Sequence, residues 1–202
     1  EFWHHRIAAS HSAAHRDEFF RRWIKSEDWG TRPAEPNCGD GFPPLYKVGK
    51  FDFQLKFEDL GIPSYNLRTT GSTQNCFVTE SAVDELAHFA GADPLNYRLN
   101  LLSGNERCSK ILEGLSRQSG WTSKLDNGFG RGVAIYEFMV KNFWWENTPF
   151  HRNSLGIPIT VVAASAIVSV TKSGRLKIEK IYFRLDCGLC VNPNVVRSQI
   201  EG

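Results

Sequence analysis

At 202 residues the chain is long enough for one large domain or two small ones with a sizeable buried core. Hydrophobic residues make up 41% and charged residues 23%, and the net charge of +2 excludes a polyelectrolyte that binds nucleic acid through charge alone. No run approaches the roughly 20 apolar residues of a membrane span, and the scattered Cys38, Cys76, Cys108, Cys187 and Cys190 do not form a disulfide framework.

The chain opens EFWHHRI, without a Met or a basic-then-apolar leader, which leaves the compartment open. Phe19, Phe20, Trp23 and Ile24 fall at helical spacing, and the basic cluster Arg21, Arg22 and Lys25 beside Asp17, Glu18 and Glu27 reads as a solvated helix face. Residues 30–45 form a Pro/Gly-rich loop that cannot hold a regular element. Phe51, Phe53, Leu55 and Phe57 then alternate with polar residues, the period of a half-buried strand, which Pro63 closes. Phe77, Ala82, Leu86, Phe89 and Ala90 predict one helical stripe, ended by Gly91. Asp93 followed by Pro94 is an N-cap and first-turn proline, so a second helix starts there with Leu95, Leu99 and Leu102 inward. A third helix over about 106–118 points Ile111, Leu112 and Leu115 inward and ends at Gly120. The stretch GFGRGVAIYEFMV reads as a strand, and an aromatic loop follows it. Two apolar runs flanking Lys172–Arg175 read as a hairpin. A last helix starts after Asn192-Pro193. The class is α+β, with antiparallel strands and helices packed against them.

Single motifs are weak. Ser81 and Ser165 lack a nucleophile elbow, and no His stands in a partner context for a hydrolase triad. GFGRG at 128–132 lacks the spacing of a phosphate or dinucleotide loop and reads as a glycine-mediated strand entry. Asp84 and Glu85 are helix neighbours pointing about 100° apart, unsuited to paired acid–base work. Cys187 and Cys190 form a Cys-x-x-Cys, but structural zinc needs four ligands, so small thiols beside a turn is the better reading. Two helix starts remain. NLRTTGSTQNCF places Arg68 and a polar turn before an apolar helix, and Gln199 lies early in the last helix. Helix N-termini offer unpaired N–H groups to anions, and Arg adds a planar cation. Converging, the two would suit a large anionic, hydrogen-bonding ligand; on the physics alone, ordinary capping is the better reading.

The same residues carry a resemblance. RTTGSTQNCFVTESAVDELAHFAGADPLNYRLNLL, GRGVA and DCGLCVNPNVVRSQIEG resemble, in order, segments of the molybdopterin-binding large subunits of the xanthine dehydrogenase and aldehyde oxidase family. The nearest branch is the isoquinoline 1-oxidoreductase beta-subunit type, and FWHHRI is similar to its Trp-x-His-Arg-Ile. The resemblance spans nearly the whole chain and implies that residues 1–202 are part of a larger molybdopterin-binding domain, truncated at both ends.

The resemblance implies a molybdenum–molybdopterin cofactor, in the cytosine dinucleotide form, held with the help of Arg68, Gly71, Gln74 and Gln199, with Thr70 facing substrate. It implies hydroxylation of an N-heterocycle or an aldehyde with water as the oxygen source. Electrons would leave through a small iron–sulfur subunit, and a cytochrome is one acceptor the resemblance allows. The family's catalytic glutamate lies in a Gly-Glu motif downstream of this chain, so no catalytic residue is assigned, and no protein side chain ligates the metal. Ser72 and Gln74 stand where the branch often has His. Members work in the bacterial periplasm, by twin-arginine export, or in the cytoplasm, and nothing implies nucleic acid as a partner. Two rival readings are a non-catalytic binding or scaffold protein that keeps the fold, and a zinc-binding module on Cys187 and Cys190.

Overall fold

A computed structural model describes residues 2–10, 41, 44–58, 68–69, 71–139 and 158–202. The helix expected over 13–26, most of the loop over 30–45, the aromatic stretch after Met139 and Thr70 lie outside the described residues. The chain divides into two compact units, Glu1–Leu86 and Ala87–Gly202.

In the first unit, β1 (Phe2–Ser10) pairs with β2 (Lys50–Glu58) in parallel, with His5 opposite Phe53. The alternation of phenylalanines predicts β2. The parallel pairing departs from the antiparallel expectation: it needs a crossover of a dozen or more residues, which 11–49 supply, and no local turn motif announces it. His5 is buried and its ring stacks on Phe53 with centroids 6.2 Å apart. Burial first, and the neighbouring His4 second, hold its imidazole below the ordinary histidine range. His4 itself contacts Asp52 at 2.7 Å.

Helix α1 (Ser72–Phe89) crosses the boundary between the units in sequence. Its buried face is Ser72, Asn75, Thr79, Glu80, Val83 and Ala87, whereas Phe77 is 72% and Phe89 82% exposed. The expected apolar stripe through Phe77, Leu86 and Phe89 is therefore turned outward. The real face is spaced three and four apart but is mostly polar, so an apolar-only pattern misses it. Tyr46 donates to the buried Glu80 carboxylate at 2.7 Å, which gives one of those polar groups its partner. Gly91, at φ 61°, ends the helix in a Schellman turn, its N–H bonded to the His88 carbonyl and that of Ala92 to Ala87.

The second unit is a three-stranded antiparallel sheet with helices against it. Helix α2 (Pro94–Leu101) starts as the Asp-Pro pair predicts: Asp93 Oδ1 accepts from the Leu95 and Asn96 amides at 3.1 and 2.9 Å. Asp93 Oδ2 also accepts from the Trp121 indole at 2.9 Å. Leu95 and Leu102 are buried, and so is Arg98, which donates to the Pro94 carbonyl at 3.0 Å. Helix α3 (Glu106–Ser119) is capped by Asn105 and buries Cys108, Ile111, Leu112 and Leu115. Gly120, at φ 60°, terminates it in the left-handed conformation that glycine adopts without a Cβ penalty.

Strands β3 (Phe129–Met139), β4 (Pro158–Val170) and β5 (Leu176–Asp186) follow the order β3-β4-β5. The β4–β5 connection is the expected hairpin, with Gly174 at φ 79° in its turn. Val133 pairs with Ser165 and Ile135 with Ala163, and all four are buried, with α3 packed against β4 and β5. Helix α4 (Pro193–Glu201) completes the chain.

Leu112 is fully buried at the centre of the α3 face. Leu112→Ala removes that packing and leaves a cavity, at a cost of about 2–5 kcal/mol. The expected result is a urea midpoint lowered accordingly at unchanged slope, whereas Glu113→Ala, one position away, shifts it little.

Candidate functional site

The turn before α1 is held by its own backbone and hydroxyls. Thr69 sits at φ 76°, a conformation rare for a β-branched residue. Its carbonyl accepts from the Ser72 amide at 2.8 Å, and Gly71 accepts from Asn75 at 3.0 Å. The Thr69 hydroxyl donates to the Arg68 carbonyl and pairs with the Thr73 hydroxyl. Backbone strain of this kind, about 1–3 kcal/mol, persists where surrounding contacts enforce it, and it clusters at ligand clamps. Gly71, Ser72 and Asn75 are buried, while Arg68, Thr73 and Gln74 face solvent. Arg68, Gly71 and Gln74 thus share one turn, with a cation and an amide outward.

The second candidate element lies at the end of β5. Asp186 Oδ2 accepts from Arg107 Nε at 2.7 Å, and the Asp186 carbonyl accepts from Arg107 Nη2 at 3.1 Å. Asp186 Oδ1 accepts from the Gly188 amide at 2.8 Å. The Arg107 bond first, and the Gly188 amide second, pull the Asp186 carboxyl down to about 2. Gly188 is at φ 68°, so the chain turns sharply into Cys190. The Asn192 side chain then caps α4, accepting from the Asn194 and Val195 amides at 3.1 and 3.2 Å. Ordinary capping therefore holds at this helix start: those N–H groups are occupied and cannot serve an anion. Gln199 lies in the second turn, with its side chain exposed. A concavity of about 690 Å³ opens here, lined among others by Phe183, Leu185, Cys187, Cys190 and Arg197.

Arg68, Gly71 and Gln74 belong to the first unit and Gln199 to the second. Arg107 escaped the sequence reading. It is 79 positions from Asp186, and only a fold brings such a pair together. GFGRG is a strand entry: Gly128 is at φ 87°, and Arg131 donates to the Gly120 carbonyl at 2.9 Å and lies over the Trp121 ring. Among the described residues no group of three metal-ligating side chains comes together, so nothing described favours a zinc module on Cys187 and Cys190.

Neither a family model nor a solved structure matches the chain. Three curated proteins do. A nicotinate dehydrogenase subunit of Pseudomonas putida is 29% identical over 146 residues, covering 67% of this chain and 11% of that protein. The beta subunit of isoquinoline 1-oxidoreductase from Brevundimonas diminuta is 23% identical over 137 residues, covering 67% and 16%. The membrane-bound aldehyde dehydrogenase [pyrroloquinoline-quinone] of Gluconacetobacter polyoxogenes is 22% identical over 171 residues, covering 78% and 21%. The chain is distantly similar to oxidoreductases. It spans between 11% and 21% of the length of these relatives.

The Asp186 carboxyl sits below its unfolded value of about 3.9. Its pairing therefore stabilises the fold fully above about pH 4 and is lost as pH falls toward about 2. Asp186→Asn, which keeps an acceptor for Gly188 but no charge for Arg107, is expected to be less stable than the parent at pH 6. Chemical denaturation at stepped pH should show that difference shrinking below about pH 4; a difference that stays constant down to pH 2 rejects the pairing.

Proposed function

We propose that the chain is part of the large subunit of a molybdenum hydroxylase of the isoquinoline 1-oxidoreductase type, and that it helps hold a molybdopterin cofactor. The carrying observation is similarity over two thirds of the chain to a protein named as the beta subunit of isoquinoline 1-oxidoreductase. That is the branch its motifs resemble, through stretches that the fold places at the α1 turn and the β5–α4 loop. The substrate class, an N-heterocycle or an aldehyde, agrees with relatives named for nicotinate, isoquinoline and aldehyde. Two of them are named as subunits, which supports a complex in which an iron–sulfur subunit carries electrons away.

The donor chemistry fits such a group in its side chains. Arg68 presents an exposed guanidinium, and Gln74 and Gln199 present exposed amides that donate and accept. On this reading Arg68, Gln74 and the backbone at Gly71 in the first unit, and Gln199 in the second, are each residues that would help hold the cofactor. The α4 N-terminus adds nothing, because Asn192 fills it. When bound, molybdenum supplies a Lewis acid and a two-electron acceptor for hydroxylation with water-derived oxygen. This chain's own contribution is positional. The strained Thr69 turn fixes where Arg68 leaves the backbone, and a guanidinium there stabilises negative charge.

One relative's name carries pyrroloquinoline quinone, so the test must separate two cofactors. The full-length gene product is purified and assayed for molybdenum, released pterin and pyrroloquinoline quinone. Stoichiometric molybdenum and pterin are expected. Arg68→Ala and Gln199→Ala should each lower molybdenum content severalfold at unchanged circular dichroism. Protein lacking both metal and pterin, or carrying only the quinone, overturns the proposal.

A further inference from the structure

Cys187 and Cys190 have no role in the function proposed above, yet they are placed for chemistry. Both are free thiols in the loop joining β5 to α4; Cys187 is half-buried and Cys190 exposed. The two cysteines stand three positions apart, on either side of Gly188 and Leu189. Three fixed points hold the loop that carries both sulfurs. Asp186, tied to Arg107, accepts the Gly188 amide; Gly188 takes the left-handed turn at φ 68°; and Asn192 caps the helix two residues past Cys190. Both sulfur-bearing residues line the 690 Å³ concavity, so a small reagent can reach them. The other described thiols differ. Cys108 is fully buried on α3, contacts Glu137 at 3.7 Å, and has its thiol pushed up to about 12, chiefly by burial. Cys76 sits half-buried on α1 in the other unit.

We propose that Cys187 and Cys190 are a reversible redox site: they close to an intrachain disulfide by exchange with a small-molecule disulfide. The exposed Cys190 thiolate attacks one sulfur of the reagent, R–S–S–R, and releases one R–SH. The Cys187 thiolate then attacks the Cys190 sulfur of the mixed disulfide and releases the second R–SH. Two S–H bonds and one reagent S–S bond break; one intrachain S–S and two reagent S–H bonds form. The two cysteines lose two electrons and the reagent gains them. Because the loop is held at both ends and both cysteines line one concavity, the folded chain should close more readily than the unfolded one. Burial first, then Cys187, hold the Cys190 thiol above its ordinary range. Little thiolate is present at neutral pH, so the first attack should be slow there and quicken as pH rises.

The purified protein is equilibrated in oxidised and reduced glutathione at stepped ratios, acid-quenched, unfolded, alkylated and read by peptide mass spectrometry. The expected product is a peptide holding both cysteines, unalkylated and lighter by two hydrogens, while Cys76 and Cys108 stay alkylated. Its midpoint should fall at a glutathione disulfide ratio severalfold lower than for the same protein kept in urea. Cys187→Ser should trap glutathione on Cys190, and Cys190→Ser should leave Cys187 slower to react. Equal midpoints for folded and unfolded protein would overturn the proposal. So would glutathione accumulating on Cys190 of the parent without ring closure, or both thiols alkylating fully across the range.

Discussion

The Arg107–Asp186 pair is the joint on which the end of β5 and the loop after it depend. Arg107 is in the first turn of α3 and Asp186 is the last residue of β5, so one ion pair fixes a helix start against a strand end. Asp186 is used three ways: one carboxylate oxygen for the guanidinium, the other for the Gly188 amide, and its carbonyl for Arg107 again. Everything after it follows from where it stands. Both side chains remain about a third exposed, so the pair resembles surface salt bridges that contribute about 0–1 kcal/mol. The buried leucines of α3 contribute several times more each. Stability therefore comes from the apolar contact of α3 with the sheet, and position comes from the ion pair.

Local signals were legible where the chemistry is local. Asp93-Pro94 and Gly120 mark helix ends because a cap or a left-handed residue acts within a few positions, and the structure places both where the residues say. The β4–β5 turn is of the same kind. The parallel β1–β2 pair was not legible, because its partners are joined through a long crossover rather than a turn. The face of α1 was misread for a different reason. Apolar periodicity assumes that the buried side is the apolar side, and here Asn75, Thr79 and Glu80 are buried while Phe77 and Phe89 are not. Arg98 makes the same point: a fully buried arginine sits where a pattern reader would place a solvent-facing charge.

The candidate site was legible as motifs and not as geometry. The sequence shows that Arg68 precedes a helix and that Gln199 follows an Asn-Pro pair. Whether a helix start is open to an anion depends on which atom already accepts its amides, and at α4 the answer is Asn192. The backbone N–H groups at that end are thereby taken, while Gln199 is exposed. At the α1 turn the left-handed Thr69 offers a feature that no spacing rule announces. It is the kind of strain expected where a ligand must be met at a set angle.

The proposed cofactor contact is tested at the Arg68 turn and at the Gln199 helix, each taken by itself. Hydrogen–deuterium exchange on the full-length protein, produced in hosts that can and cannot make molybdopterin, measures this directly. Slower exchange in the loaded protein for both 68–76 and 193–201, with the buried α3 amides unchanged, is the predicted result. At either segment, exchange that does not slow in a protein shown to carry the cofactor would contradict the contact proposed there.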